Sequence, residues 1–572
     1  MTRKIIIDIE TDGLKSTKIW CVVCKELNTG EALHFLDKPS LLAYLQADDV
    51  FIAHNGIGFD IPVLNSLWST NIDYKNVIDT LILSRLYNPE RQGGHSLNNW
   101  GQILQYGKID YHEFSEYSQE MLEYCVRDVL LTEKVYKRLV QEGTQFSDKS
   151  VELEHEIAHI IHRQKEHGFF VDKRKAVALF AETKQRAMSI EKEIKKHFLP
   201  RAKLIREVVP KYKKDGTLAK IGLSSVENVS GSFSLIEFRD FNLASPKQII
   251  ERLDEYGWKP KVFTPKGSPK VCEENLATVV DTAPEAAKKL AEWKMLETRW
   301  KTVEAWLENL DNNNRLHGTV HTMGAVTGRM THSNPNMANI VAVDKPYGTE
   351  CRACFTVPDS FHRIVGMDAK GLELRMLAHY MRDQEYMDIV VNGDPHETNR
   401  IAAGLSTRAQ SKTFIYAFLY GAGAEKLGSV VGGTAKDGAR LKRDFLANMP
   451  SLDALITKVQ GMAEKGSLQG LDGRRIYVRH QHAALNTLLQ GAGAISCKQW
   501  SICMESFIHK EKLRAYLVNT IHDEMQFEVH QNDVDKIKEG ADLTMLEAGR
   551  ILKVRLPLNA DSKVGANWAE TH

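Results

Sequence analysis

Two widely separated aspartates, and a cationic segment between them, are the residues whose chemistry stands out in this chain. Asp368 lies in IVGMDAKGLELR, at the end of an apolar, strand-like run, and Gly371 then allows the turn into a helix. Asp523 lies in VNTIHDEMQFEV, where apolar and β-branched residues flank it like the two arms of a hairpin. A carboxylate held rigidly at the end of a strand is a natural ligand for a divalent cation. We therefore predict that the two aspartates converge on shared metal ions.

The segment RAQSKTFIYAFLYG between them places four functional side chains at steps of four residues: Arg408, Lys412, Tyr416 and Tyr420. Because each such step rotates by about 40° on a helix, the four side chains form a slowly turning stripe on one face. Phe414 and Phe418 lie off this stripe and are predicted to pack the helix down. A helix with solvated cations is the alternative for any single member. Metal ligands combined with phosphate-binding cations indicate phosphoryl transfer to a nucleotide.

A second set of acids lies near the N-terminus. KIIIDIET predicts a strand on which Asp8 and Glu10 point to the same face. Two acids side by side on a buried strand repel each other unless a cation lies between them. VFIAHNGIGFD delivers Asp60, and the helical segment EYCVRDVLLTEKVY places Tyr124 and Asp128 one turn apart.

Each of these acids also has a structural interpretation. Asp60 could be a helix N-cap, which is the role predicted for Asp79 in VIDTLILSRL. Asp128 alone would be a solvated helix acid. The ordered set of four acids and a tyrosine is a much stronger signal than any member.

Composition is that of a large protein with an ordinary core, since 43% of the 572 residues are hydrophobic and 26% charged. This length predicts about four folded units. The formal net charge is only +1, so any surface that attracts nucleic acid must be a local one. Cys21/Cys24 and Cys351/Cys354 have CxxC spacing without a second ligand pair, and the eight cysteines are predicted to be reduced structural thiols.

The order of elements follows from the residue patterns. Alternating strands and helices before Gly143 predict an α/β domain. The pattern is helical from Val151, with one helix ending at Gly168 and others running from Asp172 to about Phe198, from Ser245-Pro246 to Gly257 and from Pro284 to about Leu310. No apolar run is long enough to span a membrane. MTRKIIIDIETDG begins a strand at once, so we expect no signal peptide and a cytoplasmic location.

Basic residues concentrate between Lys195 and Lys220, where nine Lys and Arg residues face only Glu207 and Asp215. A solvated charge run is one interpretation. The other is a helical hairpin with a basic tip that grips the phosphates of duplex DNA.

The N-terminal motifs DIETDGL, HNGIGFD and YCVRD resemble those of proofreading exonucleases of the DEDD type, which have a ribonuclease H-like fold. The resemblance implies that Asp8, Glu10, Asp60 and Asp128 bind two divalent cations roughly 4 Å apart. It implies further that Tyr124 positions the attacking water. Because all four acids are present, we expect an active 3′–5′ exonuclease.

The segments HTMGAVTGRMTHSNPNMANI, IVGMDAKGLELR, RAQSKTFIYAFLYG and HDE, in this order, resemble family A DNA polymerases. With FNLASPKQIIERL and GANWAETH, the resemblance extends over nearly the whole chain and is strongest to replicative enzymes of short-tailed, coliphage-like bacteriophages. It implies a multidomain α/β and α+β architecture. The expected parts are an exonuclease (1–145), a helical thumb (151–310) with a basic tip (195–220), an antiparallel palm (311–380 and 491–572) and helical fingers (381–490).

The same resemblance assigns roles to the polymerase residues. Asp368 and Asp523 would hold two Mg²⁺ ions, which Mn²⁺ can replace. Arg408, Lys412 and His396 would hold the triphosphate, and Lys412 would also protonate the departing pyrophosphate. Tyr416 would stack on the sugar and Glu373 would crowd its C2′ atom. The residues expected to contact DNA are Arg329, Arg352, Tyr420, Arg474, Arg475, Asn486, Gln490, His522 and Glu524.

Single residues of this set have plain alternatives: a structural arginine for Arg329 or Arg352, and an ordinary helix acid for Glu373. Lys370 departs from the phage pattern, which usually has a small residue there, and the C-terminal His572 is expected near the palm.

The implied partners are primer-template DNA, dNTPs, a replicative helicase and primase, a single-strand-binding protein and a processivity factor, with this chain as a monomeric catalytic subunit. Some phage relatives carry a processivity-factor insertion at the position of Lys195–Asn242, so this segment is a candidate for binding either DNA or a partner.

Two other functions fit parts of the pattern. A single-subunit RNA polymerase shares this palm, but the exonuclease motifs and Glu373 argue against it. A nuclease with an inactive polymerase body is disfavoured because Asp368, Lys412 and Asp523 are all present.

Overall fold

The computed structural model describes residues 2–217, 219, 231–279 and 284–571. It separates into two compact units, one formed by the chain up to Val171 together with the chain from Leu310 onward, the other by Asp172–Asn309. In the described part of the chain, no helix is both long and apolar enough to cross a membrane. Lys220 and His572, singled out from the sequence, lie outside the described residues.

The N-terminal part of the first unit is a five-stranded sheet with helices packed against it, as the alternating pattern predicted. Its elements are β1 (Lys4–Thr11), β2 (Ile19–Glu26), β3 (Ala32–Phe35), α1 (Lys38–Tyr44), β4 (Val50–Ala53), α2 (Asp60–Val63), β5 (Val77–Asp79), α3 (Thr80–Tyr87), α4 (Leu97–Ile103) and α5 (Gln119–Glu142). The strand order is β3-β2-β1-β4-β5, with β4 parallel to both β1 and β5.

Strand β1 is the centre of this sheet, and the sequence explains why. Ile5, Ile6 and Ile7 are fully buried, because helices cover both faces of the strand. On one face Ile6 packs with Leu122, Cys125 and Val129 of α5. Full burial of each such side chain contributes about 1.5–3 kcal/mol, so α5 is firmly held against β1. Any polar group that β1 and α5 carry at their shared edge is therefore fixed in place.

Helix α6 (Asp148–His167) follows and is capped by Ser147, whose side chain accepts a hydrogen bond from Ser150 N. The helix buries one apolar face, from which Ile157, Ile160 and Ile161 join the large C-terminal core. The helix ends at Gly168, whose φ of 68° favours glycine, and the short strand β6 (Phe169–Phe170) comes next.

The second unit contains two long helices whose limits match the prediction. Its elements are α7 (Lys173–His197), β7 (Arg201–Val208), β8 (Phe233–Arg239), α8 (Pro246–Asp254), α9 (Glu273–Leu276) and α10 (Glu285–Glu308). Asp172 caps α7 and Ser245 caps α8, each through its side-chain oxygen. Lys184 of α7 pairs with Glu304 of α10 at 3.5 Å, and Arg186 pairs with Glu292.

The predicted basic tip (195–220) leaves α7 after His197 and continues as a strand rather than as a helix. Strands β7 and β8 pair antiparallel instead, with Leu204 opposite Ile236 and Lys203 opposite Glu237. The reason is visible in FSLIEFR, where apolar and polar residues alternate with the period of a strand rather than of a helix. Leu204, Ile236 and Phe238 remain exposed on this ribbon, beside its basic residues.

The C-terminal part of the first unit combines a four-stranded sheet with many helices. Its elements are β9 (Arg315–Leu316), β10 (Thr319–His321), β11 (Thr331–Ser333), α11 (Gly348–Ala353), β12 (His362–Ala369), α12 (Leu372–Met381), α13 (Gln384–Asn392), α14 (Pro395–Ala403), α15 (Arg408–Leu419), α16 (Ala424–Ser429), α17 (Ala435–Ala447), α18 (Pro450–Ala463), β13 (Ser467–Gln469), β14 (Arg475–Tyr477), α19 (Ala484–Glu511), β15 (Ala515–Ile521), β16 (Glu524–His530), α20 (Val534–Ile551) and β17 (Ala560–Gly565).

The four-stranded sheet is antiparallel throughout and has the order β15-β16-β12-β17. Val365 and Met367 of β12 and Phe527 of β16 are buried in the large core on one face of this sheet. Helices α19 and α20 lie together, and the indole of Trp500 donates to Thr544 Oγ1 at 3.0 Å. The sheet is thus a rigid platform, and the pairing of β12 with β16 holds Asp368 and Asp523 at one of its ends.

Four charged side chains form a buried cluster that joins α6, the β13–β14 turn and α19. Arg474 donates to Glu154 Oε1 at 2.6 Å and to Asp472 Oδ2 at 2.6 Å, and Lys498 Nζ lies 2.5 Å from the same Glu154 oxygen. Burial lowers the pKa of Lys498 to about 8, although Glu154 acts in the opposite direction. The side chain of Arg474 is only 4% exposed, which contradicts the expected contact with DNA.

We expect Glu154→Gln to lower the free energy of unfolding by about 3–5 kcal/mol, because it removes one partner of a buried charge network and leaves Lys498 unpaired. Urea unfolding would measure the change. Lys137→Ala, which removes an exposed pair with Glu133 on α5, is the matched control and should cost less than about 1 kcal/mol. Equal effects of the two substitutions would contradict a structural role for the cluster.

Candidate active sites

Strand pairing brings the two aspartates together. Asp368 lies opposite Glu524 in the β12–β16 register, and Asp523 is the residue immediately before Glu524. Asp523 belongs to the two-residue turn between β15 and β16, where His522 has a φ of 52°. The amide of Ala369 donates to the carbonyl oxygen of Asp523 at 3.0 Å. The convergence predicted from two distant motifs is therefore present at one end of the sheet.

The environment of Asp523 suits a divalent cation. Burial raises the pKa of Asp523, and the nearby carboxylate of Glu373 raises it further. Such a site has unbalanced negative charge, and its donors are carboxylate oxygens, the ligands that Mg²⁺ prefers. Asp368 and Asp523 thus fit a magnesium site.

Glu373 is held by two neighbours rather than solvated as a plain helix acid. The hydroxyl of Tyr420 donates to Glu373 Oε1 at 2.8 Å, and Arg329 Nη2 lies 3.6 Å from the same oxygen. Glu373, Arg329, His522 and Asp523 line a single cavity whose apolar walls include Leu372 and Leu489. The cavity lies directly beside the paired aspartates.

Helix α15 carries the predicted cationic stripe. Thr407 caps it, and Gln410 completes a capping box. Phe414 and Phe418 are buried in the core, as predicted, so the opposite face of the helix is free. The charges of Glu373 and Asp523 raise the pKa of Tyr416 after the larger effect of burial, which places the Tyr416 ring near the aspartates.

The phosphate-binding candidates lie along the same face. Arg408 donates to both carboxylate oxygens of Asp394, at 2.6 and 3.2 Å. Asp394 also caps α14, the helix that begins with Pro395 and His396. The His396 ring lies 6.1 Å from that of Tyr416, and burial together with Arg408 lowers its pKa. Lys412 is exposed. Arg408 and Lys412 thus lie close enough to His396 for their charges to act on its ring.

Two further residues expected to contact DNA face the interior instead. Arg352 is 6% exposed, donates to the carbonyl of Val341 at 3.1 Å and lies over the Trp568 ring at 4.5 Å. Glu524 is 8% exposed and accepts from the indole of Trp568 at 2.7 Å. These positions contradict direct DNA contacts, because both side chains are used in packing the sheet against the C-terminal segment.

The other expected contact residues are placed where a ligand can reach them. Arg329, Asn486 and Gln490 are half-buried, and Tyr420 and His522 are exposed. Asn486 and Gln490 lie one turn apart on α19, as predicted. Arg475 is half-buried and donates to Ser467 Oγ at 3.1 Å. Lys370 pairs with Asp561 at 3.6 Å, and both side chains are exposed.

The N-terminal acids form a second cluster. Oxygens of Asp8 and Glu10 and the sulfur of Cys125 all lie within 4.8 Å of one another. Burial raises the pKa of Asp8 well above its usual value, and the charges of Asp60, Glu10 and Asp128 raise it further. The structure thus brings all four predicted acids together, from β1, α2 and α5.

The same forces act on the other members of this cluster. Burial raises the pKa of Glu10 to about 9 and that of Asp60 to about 7. Asp60 lies in the first turn of α2 and does not cap it, whereas Asp79 caps α3 as predicted, accepting from Leu81 N at 2.9 Å. Four buried carboxylates that repel one another are a fitting donor set for divalent cations.

Two residues of this cluster were not predicted from the sequence. Lys108 forms an ion pair with Asp128 and donates to the Tyr124 hydroxyl at 2.7 Å. Cys125 lies 3.5 Å from Asp8 Oδ2. The position of Cys125, three residues before Asp128 on one helix face, was a usable signal. Lys108 belongs to no motif, and only the folded chain brings it to the acids.

A cavity of the same unit is lined by residues of the N-terminal domain, of α6 and of the segment 319–322 that leads to Arg329. Its lining includes His54, Arg85, His95, Lys165 and His321. Arg85 is half-buried, and Asp79 is the acid that acts on its charge. Asp79 accepts hydrogen bonds from the amides of Asn55 and Ile57. Burial lowers the pKa of His54 and of His95 to about 4, so Arg85 and Lys165 supply the positive charge among these residues.

Comparison with known proteins identifies the family of this chain. The profile of DNA polymerase family A matches residues 222–570, so the chain belongs to this family. The DNA-directed DNA polymerases of Enterobacteria phage T3 and Escherichia phage T7 are each 32% identical to it, across 99% of this chain and 100% of theirs. The POL domain of Pol1 from M. smegmatis, in complex with DNA primer-template and dNTP, shares the fold, with a TM-score of 0.79, 17% identity and coverage of 100% of this chain and 96% of that one.

Binding of Mn²⁺ to the Asp8 cluster should strengthen as the pH rises through about 7 and then about 9, the values to which the pKa of Asp60 and Glu10 are raised. The cation binds the ionised carboxylates, so protons compete with it below each pKa and are released when it binds. Titration calorimetry at several pH values would measure both the affinity and the released protons. The Asp8→Asn, Glu10→Gln double variant is the control, since any Mn²⁺ that it still binds is bound elsewhere on the protein. An affinity of the unaltered protein that does not change with pH would contradict binding to these carboxylates.

Proposed function

We propose that this protein is a template-directed DNA polymerase that extends a primer 3′ end with dNTPs, and that it proofreads with a 3′–5′ exonuclease. The observation that carries the proposal is the meeting of Asp368 and Asp523 at one end of a rigid sheet, close to the cationic stripe of α15. Full-length similarity to two phage DNA polymerases supports it. Genome replication of a bacteriophage, in the cytoplasm of its bacterial host, is the corresponding biological role.

The polymerase reaction requires the primer 3′-hydroxyl to attack the α-phosphate in line. Asp368 and Asp523 would hold two Mg²⁺ ions, which when bound would acidify that hydroxyl and neutralise the pyrophosphate. Lys412 is exposed on the same helix face as Tyr416, so its ammonium is free to donate a proton to the leaving group. Arg408 must leave Asp394 or share it in order to bind the triphosphate. Closure of α15 over a correct base pair would thus exchange one ion pair for another.

Selection of the sugar follows from the held position of Glu373. A carboxylate fixed by Tyr420 and Arg329 cannot swing away from an added 2′-hydroxyl, so ribonucleotides are excluded by contact. Tyr416 lies near this carboxylate and stacks on the sugar in the proposed arrangement. Arg329, Asn486 and Gln490 would then follow the primer-template on its minor-groove side, where shared acceptors report base-pair shape rather than sequence.

The hydroxyl of Tyr416 can substitute for a missing sugar 3′-hydroxyl, so we expect efficient incorporation of dideoxynucleotides. Primer extension with equal dNTP and ddNTP would measure the ratio. Tyr416→Phe removes only this hydroxyl and should reduce dideoxynucleotide incorporation by more than about tenfold, the effect of about 1.4 kcal/mol in the transition state. Strong rejection of ddNTP by the unaltered enzyme would contradict the role of Tyr416.

Proofreading rests on the four acids around Asp8. Their ligand set would hold two divalent cations, which when bound would ionise a water and stabilise the leaving 3′ oxygen. We propose that the cavity lined by Arg85, Lys165 and residues 319–322 is on the path of the single strand between the two sites. A frayed primer end carries one negative charge per nucleotide, so this lining suits its passage from one site to the other.

Separate sites predict separable activities. Asp523→Asn should lower the rate of primer extension by at least about a thousandfold while degradation of single-stranded DNA continues. Asp8→Ala should lower the rate of degradation by a similar factor while primer extension continues. Extension of a primed template and release of nucleotides from single-stranded DNA are the two measurements. Loss of both activities in either variant would contradict the two-site assignment, and extension with rNTPs would favour an RNA polymerase.

The basic ribbon β7–β8 and the helices around it are proposed to grip the DNA duplex, as a thumb does. Arg201 and Lys203 of the predicted basic tip lie on β7, and Arg239 of β8 adds a further positive charge to the ribbon. Such contacts release counterions, so affinity for duplex DNA should be strongly salt-dependent. The ribbon is also a candidate surface for a processivity factor. A helicase and primase and a single-strand-binding protein complete the proposed set of partners, with this chain acting as a monomer.

A further inference from the structure

Lys108 is the one cationic side chain seen to enter the carboxylate cluster of the proposed exonuclease, within the part of the chain that the structure describes. It lies in the segment between α4 and α5, outside every motif used above. Its ammonium pairs with Asp128, donates to the Tyr124 hydroxyl at 2.7 Å and lies 4.6 Å from the centre of the Tyr124 ring. One group therefore contacts both functional residues of α5.

The backbone next to Lys108 is fastened to the same helix. Arg127 Nε donates to the carbonyl of Gly107 at 2.8 Å, and the Arg127 guanidinium lies 3.4 Å from the centre of the Tyr106 ring. The Lys108 side chain is only 20% exposed. A long side chain on a free loop would lose much entropy in making such contacts, but here the anchored backbone has already restricted it. The position of the ammonium is thus built into the fold.

The two oxygens of the Asp128 carboxylate differ in their contacts. One oxygen of Asp128 pairs with Lys108, while its other oxygen, Oδ1, is buried without a hydrogen-bond partner. Lys108 partly offsets the rise in the pKa of Asp128 that burial causes. The Tyr124 hydroxyl oxygen accepts a hydrogen bond from Lys108, which fills one of its two acceptor positions. It keeps one acceptor position.

We propose that Lys108 is a positioning residue of the exonuclease, which orients the Tyr124 hydroxyl so that its remaining lone pair accepts a hydrogen from the attacking water. Without the ammonium, the hydroxyl could rotate and donate to that water instead, which would occupy the lone pair needed for attack on phosphorus. Lys108 also fixes Asp128 with its unpaired oxygen available to a cation. This inference rests on the proposed exonuclease function and names a residue through which it is controlled.

The simpler interpretation is a counter-ion that only lowers the repulsion among the acids. The two interpretations agree on what the loss of Lys108 does to cation binding and differ in what it does to hydrolysis. A counter-ion competes with the metal, and so does a positioning lysine, so Lys108→Met should bind Mn²⁺ at least as tightly as the unaltered protein. Only the positioning role requires that hydrolysis fall at the same time through Tyr124.

The test is a double-variant cycle on the full-length protein, with single-stranded DNA degraded at saturating Mn²⁺. We expect Lys108→Met and Tyr124→Phe each to lower kcat by about 10- to 100-fold with KM within about threefold, a range typical of a misplaced reacting group. The kcat of the combined variant should be no more than about threefold below that of the less active single variant, because both substitutions break the same interaction. Lys108→Arg, which keeps a cationic donor, should recover part of the rate.

Direct Mn²⁺ binding, followed by electron paramagnetic resonance, gives a readout independent of turnover. Lys134→Met is the matched control, since Lys134 also lies over an aromatic ring of this domain, at 4.8 Å from Tyr106, and is exposed. It should change neither hydrolysis nor binding. Extension of a primed template by each variant reports that the protein is folded.

Three results would overturn the proposal: an unchanged kcat in Lys108→Met, losses that multiply in the combined variant, or a loss that disappears at higher Mn²⁺ because cation binding was weakened. Failure of the exonuclease function itself would be seen differently. The unaltered protein would then extend primers but leave single-stranded DNA intact, whatever residue occupied position 108.

Discussion

The antiparallel register between β12 and β16 is the constraint on which the main site depends. Asp368 faces Glu524 across this pair, so the turn residue Asp523 is delivered beside it. A shift by one residue would turn Asp368 to the opposite face of the sheet. Val365, Met367 and Phe527 oppose such a shift, because their burial on one face fixes the pairing. Packing of apolar side chains therefore sets the distance between two charged ones.

Repulsion among the carboxylates is tolerated at both sites because the buried apolar residues around them hold the acids in place. The acids around Asp8 are held by a strand and a helix whose apolar residues are fully buried, and the cost appears as raised pKa values rather than as altered geometry. Buried charges elsewhere are balanced within the protein, as Glu154 is by Arg474 and Lys498. The acids around Asp8 carry excess negative charge, whereas the charges of the Glu154 cluster cancel. This difference separates a site suited to a cation from a cluster that only supports the fold.

Several charged residues have roles that their position in a motif did not reveal. Arg352, Arg474 and Glu524 lie in or next to segments expected to meet DNA, yet each is buried in contacts within the protein. Such residues still affect the site, because Glu524 and Arg352 both pack on Trp568 beneath the sheet that carries Asp368. Their substitution would act through the shape of the platform rather than through a lost contact with a ligand.

The sequence by itself determined what depends on neighbours along the chain. The ends of α6, α7 and α8, the cap at Asp79 and the stripe of α15 follow from local hydrogen bonds and from residues one helical turn apart. The motifs that contain the acids of the two sites are also short segments of the chain. Tertiary structure alone decided that Lys108 meets Tyr124 and Asp128 and that Arg474 is buried. These outcomes depend on which distant surfaces pack together, and the free energy of that packing is not encoded in any short segment.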